Sequence, residues 1–362
     1  MLALFVLLCS GSKCSSTIQS NGSNGVYADS VKTLVSGLNY PWEILWGKDN
    51  HIWMTERDGK ISKIDPATGK IIFSASIAEV ESRNEGGLLA MVQHPDFLTN
   101  GLFYVVYDYE ASGGYREKMV QMKFENGGIK PVKTLIENIP ASSIHNGSRL
   151  WISSDAKIFM TTGDAANQPN AQRTTSVSGK VLRFNLDGTI PADNPFPGSA
   201  VWSYGHRNQQ GLVVANGIMY ASEHGPTIED EVNIIEKKRN YGWPTVNGPC
   251  DDNDEKSFCK TNNVKEPIWS SGGNTLAVCG MDYYNNNLIP AWKNSLLMCN
   301  LKDASLKVLA LSSDGLSVVS QKTLFRNRFG RLRDICISPS GKVYLCTSNG
   351  GNDDVLVEIT KP

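Results

Sequence analysis

"DNHIWMTERDGKISKID" (residues 49–65) holds two short runs of aliphatic and aromatic residues separated by a turn. Neither run is long enough for a helix, and both are rich in residues that suit strands. The same unit returns along the chain. "NGLFYVVYD" is followed by "KMVQMKF", "DAKIFMTTGD" by "GKVLRFN", and "NGIMYASEHG" by "DEVNIIE". "KNSLLMCNLK" then precedes "LKVLALS", and "GKVYLCTSNGG" precedes "DDVLVEI". These six units recur at about 50 to 80 residues, a period that suits four-stranded blades with loop insertions. Convincing 3.6-residue periodicity of helical length is absent. The reading is an all-β fold, a six-bladed β-propeller of four-stranded antiparallel sheets. "VKTLVSGL" (31–38) has no repeat partner and is expected to pair with "DVLVEIT" in the last blade, closing the ring.

Residues 31–362 then form a single propeller domain, preceded by a signal-like apolar segment and polar linker over 1–30. The apolar part, residues 1–9, is too short to span a bilayer, so export to the periplasm or the medium is expected. Membrane attachment would require lipidation of Cys9 or Cys14. A net charge of -1 and 20% charged residues argue against nucleic acid or an anionic membrane as partner. Six further cysteines fit an oxidising compartment. Cys250 and Cys259 bracket a short polar loop and form the best local pair, and Cys336 and Cys346 could bridge the hairpin turn between them. The acidic run "DDNDE" (251–255) reads as a solvated loop, with calcium binding as the alternative.

A propeller builds its functional mouth from loops at the ends of its inner strands. Five stretches place polar residues there. In "SRNEGGLLAMVQHPDF", Glu85 precedes two glycines that let backbone approach a ligand. In "SIHNGSRLWISSDAKIFMTTGD", His145 precedes one strand and Asp164 ends the next. If the two strands pair, the carboxylate can fix the imidazole tautomer and leave the other ring nitrogen as a base. "SYGHRNQQGL" supplies Arg207, a planar fork for carboxylate or quinone oxygens, and Asn208, which both donates and accepts. In "SEHGPTIEDEVN", Gly225 and Pro226 turn backbone carbonyls outward, beside Glu229, Asp230 and Glu231. Arg331 and Arg333 alternate onto one strand face, and Lys302 leaves what reads as an inner strand. Together with Arg207 these cations could converge on one polyanion. The sum suits an anionic, carboxylate-bearing cofactor held with a divalent metal. No GxGxxG, P-loop, HExxH or serine elbow is present.

These motifs, from "LNYPWEILWGKDNHIWMTERDGKI" through "WSYGHRNQQGL", "SEHGPTIEDEVN" and "NYGWP" to "GRLRDICISPSG", resemble the soluble quinoprotein glucose/aldose sugar dehydrogenases over roughly residues 31–360. The resemblance implies oxidation of an aldose at C1 to the lactone, with pyrroloquinoline quinone (PQQ) as hydride acceptor and calcium (Ca2+) as its companion. It gives His145 the role of base and Asp164 that of orienting the base. Arg207 and Asn208 fall near the quinone oxygens. Lys302, Arg331 and Arg333 fall on the cofactor carboxylates, and Thr275 joins the cofactor-binding set. The carbonyls of Gly225 and Pro226 match calcium ligands, and Asp230, Glu231 and Tyr241 match a second calcium site. Glu85 stands where the family typically has Gln, and Ile144 where some relatives carry an acid. A small aldose, an external electron acceptor and a monomer or homodimer complete the expectation. The competing readings are a non-catalytic ligand- or protein-binding propeller and a metal-dependent lactonase.

Overall fold

The structure is a computed structural model, and it describes residues 30–361. The signal-like segment, the linker, Cys9 and Cys14 lie outside the described residues, apart from Ser30. Six four-stranded antiparallel sheets are arranged in a ring, as the repeat implies. In each blade the innermost strand precedes the run that marks the repeat. These six strands are Pro41–Trp46, Leu88–Gln93, Gly147–Ile152, Gln209–Ala215, Val278–Tyr284 and Leu332–Ile337. Lys302 therefore leaves a second strand (Ser295–Asn300), not an innermost one as expected from the sequence.

Hydrophobic patterning follows position in the blade. Ile52–Glu56, the second strand of the first blade, is buried at every residue because neighbouring blades cover both of its faces. The outermost strand, Ile71–Ser76, alternates between partly covered and exposed residues. Between the first two blades Trp53 contacts Phe97, Phe103 and Phe124, with ring centroids 5.2–6.1 Å apart. Val31–Leu38 pairs with Asp354–Ile359, so the last blade takes its outer strand from the start of the chain. That pairing closes the ring.

Near the axis, Arg149 from the third blade sits between Glu43 of the first (2.6 Å) and Asp334 of the sixth (3.1 Å). Its guanidinium lies 4.3 Å from the Trp42 ring. Removing one member of such a buried group strands the others, at a cost of about 3–5 kcal/mol. This network ties three inner strands together.

Two sequence expectations need correction. The run 251–255 is not a loop, because it opens the helix Asn253–Asn262. Asp252 caps it, accepting from the N–H groups of Asp254 and Glu255 at 2.8 Å each. A disulfide from Cys250 to Cys259 fastens that helix to its own lead-in. Cys336 and Cys346 are not bridged, and with Cys279 and Cys299 they are free and buried. The strand register explains this: Cys336 faces Tyr344, and Cys346 faces Asp334. The two thiols are diagonal neighbours, and Cα atoms in that relation lie roughly 7–8 Å apart, too far for a disulfide. Among the described residues no helix is long and apolar enough to cross a membrane.

Candidate active site

The third blade brings His145 and Asp164 together. Gly147 pairs with Thr162 across its inner hairpin, so both strands end at the same rim. Gly163 makes the approach possible, since a Cβ there would sit 1.8 Å from the His145 carbonyl oxygen. His145 Nδ1 lies 2.9 Å from Asp164 Oδ1. Asp164 is fully buried and also accepts from Trp243 Nε1 (2.8 Å) and the Ala166 N–H (2.9 Å). A carboxylate so held keeps the Nδ1 proton on the imidazole. It leaves Nε2, which has no protein partner among the described residues, as the basic nitrogen. The His145 N–H is 3.2 Å from Glu85 Oε2, which ties the base to the loop that carries Glu85.

Glu85 lines a cavity of about 660 Å³ at this rim, together with Arg57, Arg331, Arg333, Gln210 and His224. Arg333 is 3% exposed, and its Nη1 donates to Gln210 Oε1 at 2.6 Å. Arg57 lies over the Tyr40 ring at 4.0 Å and donates to the Asn84 carbonyl. Burial, and then the nearby Arg333, pulls the Arg57 guanidinium down to about 10. Burial lowers Arg333 as well. Among the described residues none of Arg57, Arg331, Arg333 and Arg207 has a carboxylate within ion-pair distance, although lysines and arginines elsewhere form many such pairs. Three arginines face this cavity with no carboxylate in ion-pair contact, and against Glu85 and Asp58 in the same wall the excess of positive charge favours an anion.

Arg207 lines a smaller neighbouring space that shares His224 with this cavity. Its Nη1 donates to the His224 carbonyl (3.2 Å), and its guanidinium lies 5.3 Å from the Trp243 ring. Trp243 thus links Arg207 to Asp164. Asn208 is fully buried, and its Oδ1 accepts from the Gly147 N–H at 3.1 Å while Nδ2 has no partner among the described residues. Arg207 and Asn208 therefore brace the His145 hairpin. Lys302 is exposed and follows Leu301, which lines the cavity.

Gly225 and Pro226 border a second, much smaller space of about 10 Å³, with Glu223, Glu229, Glu231, Tyr241 and Asn247 around it. That volume suits one water or one small ion. Burial, then Glu223 and Glu229, raises the Glu231 carboxyl to about 8. Asn247 Oδ1 is buried there with no donor among the described residues. Acceptors crowded in this way favour a cation. The expected roles of Asp230 and Thr275 are revised. Both Asp230 oxygens are filled by Gly225 N–H, Thr275 Oγ1–H and the N–H groups of Leu276 and Ala277. In this structure both side chains are engaged in these local bonds. The Tyr241 hydroxyl is committed to Ile234 O (2.6 Å) and Glu236 N (2.8 Å). Among the described residues no group of three or more His, Cys, Asp or Glu side chains closes on a single metal.

Sequence reasoning overlooked Arg57, His224, Gln210 and Trp243. All four lay inside stretches already quoted, but none was given a role there. Burial pushes the His224 imidazole down to about 4 against the pull of Glu85, so it is neutral in the cavity wall. Arg57 and Trp243 follow ordinary-looking strand and turn residues, and only the ring closure brings them to this rim.

The glucose/sorbosone dehydrogenase family model matches residues 38–357. Quinoprotein glucose dehydrogenase B of Acinetobacter calcoaceticus is 32% identical, over 89% of this chain and 86% of that protein. Aldose sugar dehydrogenase YliI of Escherichia coli K12 is 28% identical, over 89% of this chain and 91% of that protein. The PQQ-bound aldose sugar dehydrogenase of Streptomyces coelicolor superposes with a TM-score of 0.79 at 28% identity, over 91% and 98% of the two chains. With the matched model covering nearly all of the propeller, the chain belongs to the glucose/sorbosone dehydrogenase family.

Proposed function

We propose that this protein is a PQQ- and calcium-dependent aldose dehydrogenase that oxidises the sugar C1 hydroxyl to the lactone. The observation that carries the reading is the His145–Asp164 pair at the rim of a cavity faced by three arginines without carboxylate partners. PQQ bears three carboxylates and an ortho-quinone, and the donors present fit it. Arg57, Arg331 and Arg333 would hold its carboxylates, with Gln210 and Asn84 as neutral partners. When bound, it would supply the two-electron acceptor for hydride leaving C1, chemistry that no side chain offers. The carbonyls of Gly225 and Pro226, beside Glu231, would hold calcium at the smaller space.

The protein's own part is proton transfer and orientation. His145 Nε2 takes the C1 hydroxyl proton. Asp164 keeps the ring turned and stabilises the imidazolium that forms, while Trp243 and the Ala166 N–H keep Asp164 in place. Neutral His224 and the arginine side chains wall the cavity.

Export to the periplasm or medium is part of the same reading, supported by the apolar start of the chain and the Cys250–Cys259 disulfide. The electron acceptor outside the protein is expected to be a diffusible molecule or a redox partner. The test is to load the purified protein with PQQ and calcium and follow dye reduction across a panel of aldoses. Aldose-dependent reduction is expected, and its absence with every sugar would overturn the assignment.

A further inference from the structure

The long hairpin of the second blade sets Asp108 directly opposite Glu117. Both are buried, at 0% and 1% exposure. Like charges in that relation repel, and no cation pairs with either among the described residues. One oxygen of each is well supplied. Asp108 Oδ2 accepts from the Gly87 N–H (2.9 Å), the Tyr115 hydroxyl (3.1 Å) and Asn146 Nδ2 (3.3 Å). The other carboxylate, Glu117, accepts from the Ser148 hydroxyl through Oε2. The remaining oxygens, Asp108 Oδ1 and Glu117 Oε1, are buried and have no donor among the described residues. A proton held between the two carboxyls would supply the missing donor and remove the like-charge repulsion.

We infer that Asp108 and Glu117 share one proton, and that this carboxyl pair is the positioning element that holds the His145 turn against the Glu85 loop. The inference rests on His145 being the base. Its physical logic lies in what the supplied oxygens grip. Gly87 lies two residues after Glu85, and Asn146 and Ser148 flank the turn that follows His145. Asn146 in turn clasps Ser142, donating to its carbonyl (2.9 Å) and accepting from its N–H (3.0 Å). His145 and Ser148 adopt positive φ of 62° and 78°. Non-glycine residues hold such a backbone only when their surroundings over-determine it. The pair supplies that constraint from outside the turn.

The groups facing the pair are Tyr115, the neutral Gly87, Asn146 and Ser148, and Arg83 beyond Tyr115, 4.9 Å from its ring. Burial, and for Glu117 then the neighbouring Asp108, raises the titration of this pair above the ordinary carboxyl range. Between the ordinary carboxyl pKa of about 4 and the raised value, the folded state holds a proton that the unfolded chain has released. This contribution to stability is complete at low pH and is lost as pH rises through that window.

The experiment has two arms. In the PQQ- and calcium-loaded enzyme, Asp108→Ala is expected to lower kcat by ~10–100-fold with KM changed by less than about twofold, as for a displaced base. Glu117→Gln is the conservative variant. Its amide can donate to Asp108 Oδ1 where the shared proton sat, and kcat is expected to recover. If Asp108→Ala does not fold, Asn146→Ala takes its place, since it cuts the link to the turn and leaves the hairpin pair intact. A kcat unchanged by these truncations, or lost as deeply in Glu117→Gln, would overturn the positioning role. The second arm uses apoprotein and needs no activity. Near pH 5.5, native wild type is expected to bind about one more proton than native Glu117→Gln by potentiometric titration. Equal proton counts would overturn the shared proton. Failure of wild type to oxidise any aldose would remove the assigned reaction, and the proton count would still decide the pair.

Discussion

Asp164 shows how much one buried carboxylate can carry. It accepts from the His145 ring, the Trp243 indole and the Ala166 N–H, and its own N–H donates to the Arg207 carbonyl at 2.8 Å. Asp164→Asn keeps the shape but presents an amide donor to Nδ1, favouring the wrong tautomer. We expect kcat to fall by roughly 10²–10⁴-fold, the usual worth of a general base, with PQQ affinity retained. Dye-coupled kinetics beside a PQQ titration would check both halves. Glu85 acts in the opposite sense, as a carboxylate in a wall meant for an anion. Glu85→Gln removes one like charge from the cofactor's surroundings and is expected to tighten PQQ binding by roughly tenfold, a few-ångström Coulomb effect at intermediate dielectric. Titration of the apoprotein with PQQ measures it, and weaker binding would show that Glu85 serves calcium instead.

At the scale of elements, the helix Asn253–Asn262 depends on its ends. Its residues are mostly polar, and Glu255 is its one buried residue, so little packing holds it. The Asp252 cap and the Cys250–Cys259 bridge do that work. The bridged residues are 9 apart, and closing a loop of this length is worth about 2–3 kcal/mol in the chain-entropy account. Cys250→Ser with Cys259→Ser is therefore expected to release the helix locally. Hydrogen exchange of residues 253–262 should accelerate strongly, while the blade strands keep their protection. The inner hairpins behave differently, because their register decides chemistry. A one-residue slip between Gly147–Ile152 and Lys157–Thr162 would turn His145 away from Asp164. Thr161 opposes such a slip, since its hydroxyl accepts from the Arg149 N–H (2.9 Å) and donates to the Gln209 carbonyl (3.0 Å).

At the scale of the whole molecule, closure of the ring is the device that makes the site. Arg331 and Arg333 come from the sixth blade, Arg57 from the first, His145 from the third and His224 from the fourth. Deleting Val31–Leu38 removes the outer strand of the sixth blade and exposes the edge of Asp354–Ile359. The truncated chain is expected to lose cooperative thermal unfolding and to self-associate through that edge, as calorimetry and light scattering would show. Much of this architecture was legible in the sequence. Strand-forming runs at a regular period specify blades, because each blade must bury both faces of its middle strands. The closing strand betrays itself by having no repeat partner. His145, Asp164 and the arginines stand out as polar residues at strand ends. The sequence could not separate side chains that face the cavity from those spent on local bonds. Asp230 and Thr275 look like ligands until their hydrogen bonds to each other are seen, and Cys336 and Cys346 look like a bridge until the register sets them diagonally. Nor did it reveal Arg57, or the opposed acids Asp108 and Glu117, whose sense depends on a turn contributed by the next blade. The sequence by itself determined the repeat, the strands and the residue types available at the rim, since these follow from local propensity and patterning. Only the tertiary structure decided which of them meet, because contacts between blades depend on closing a ring whose first and last strands are more than 300 residues apart.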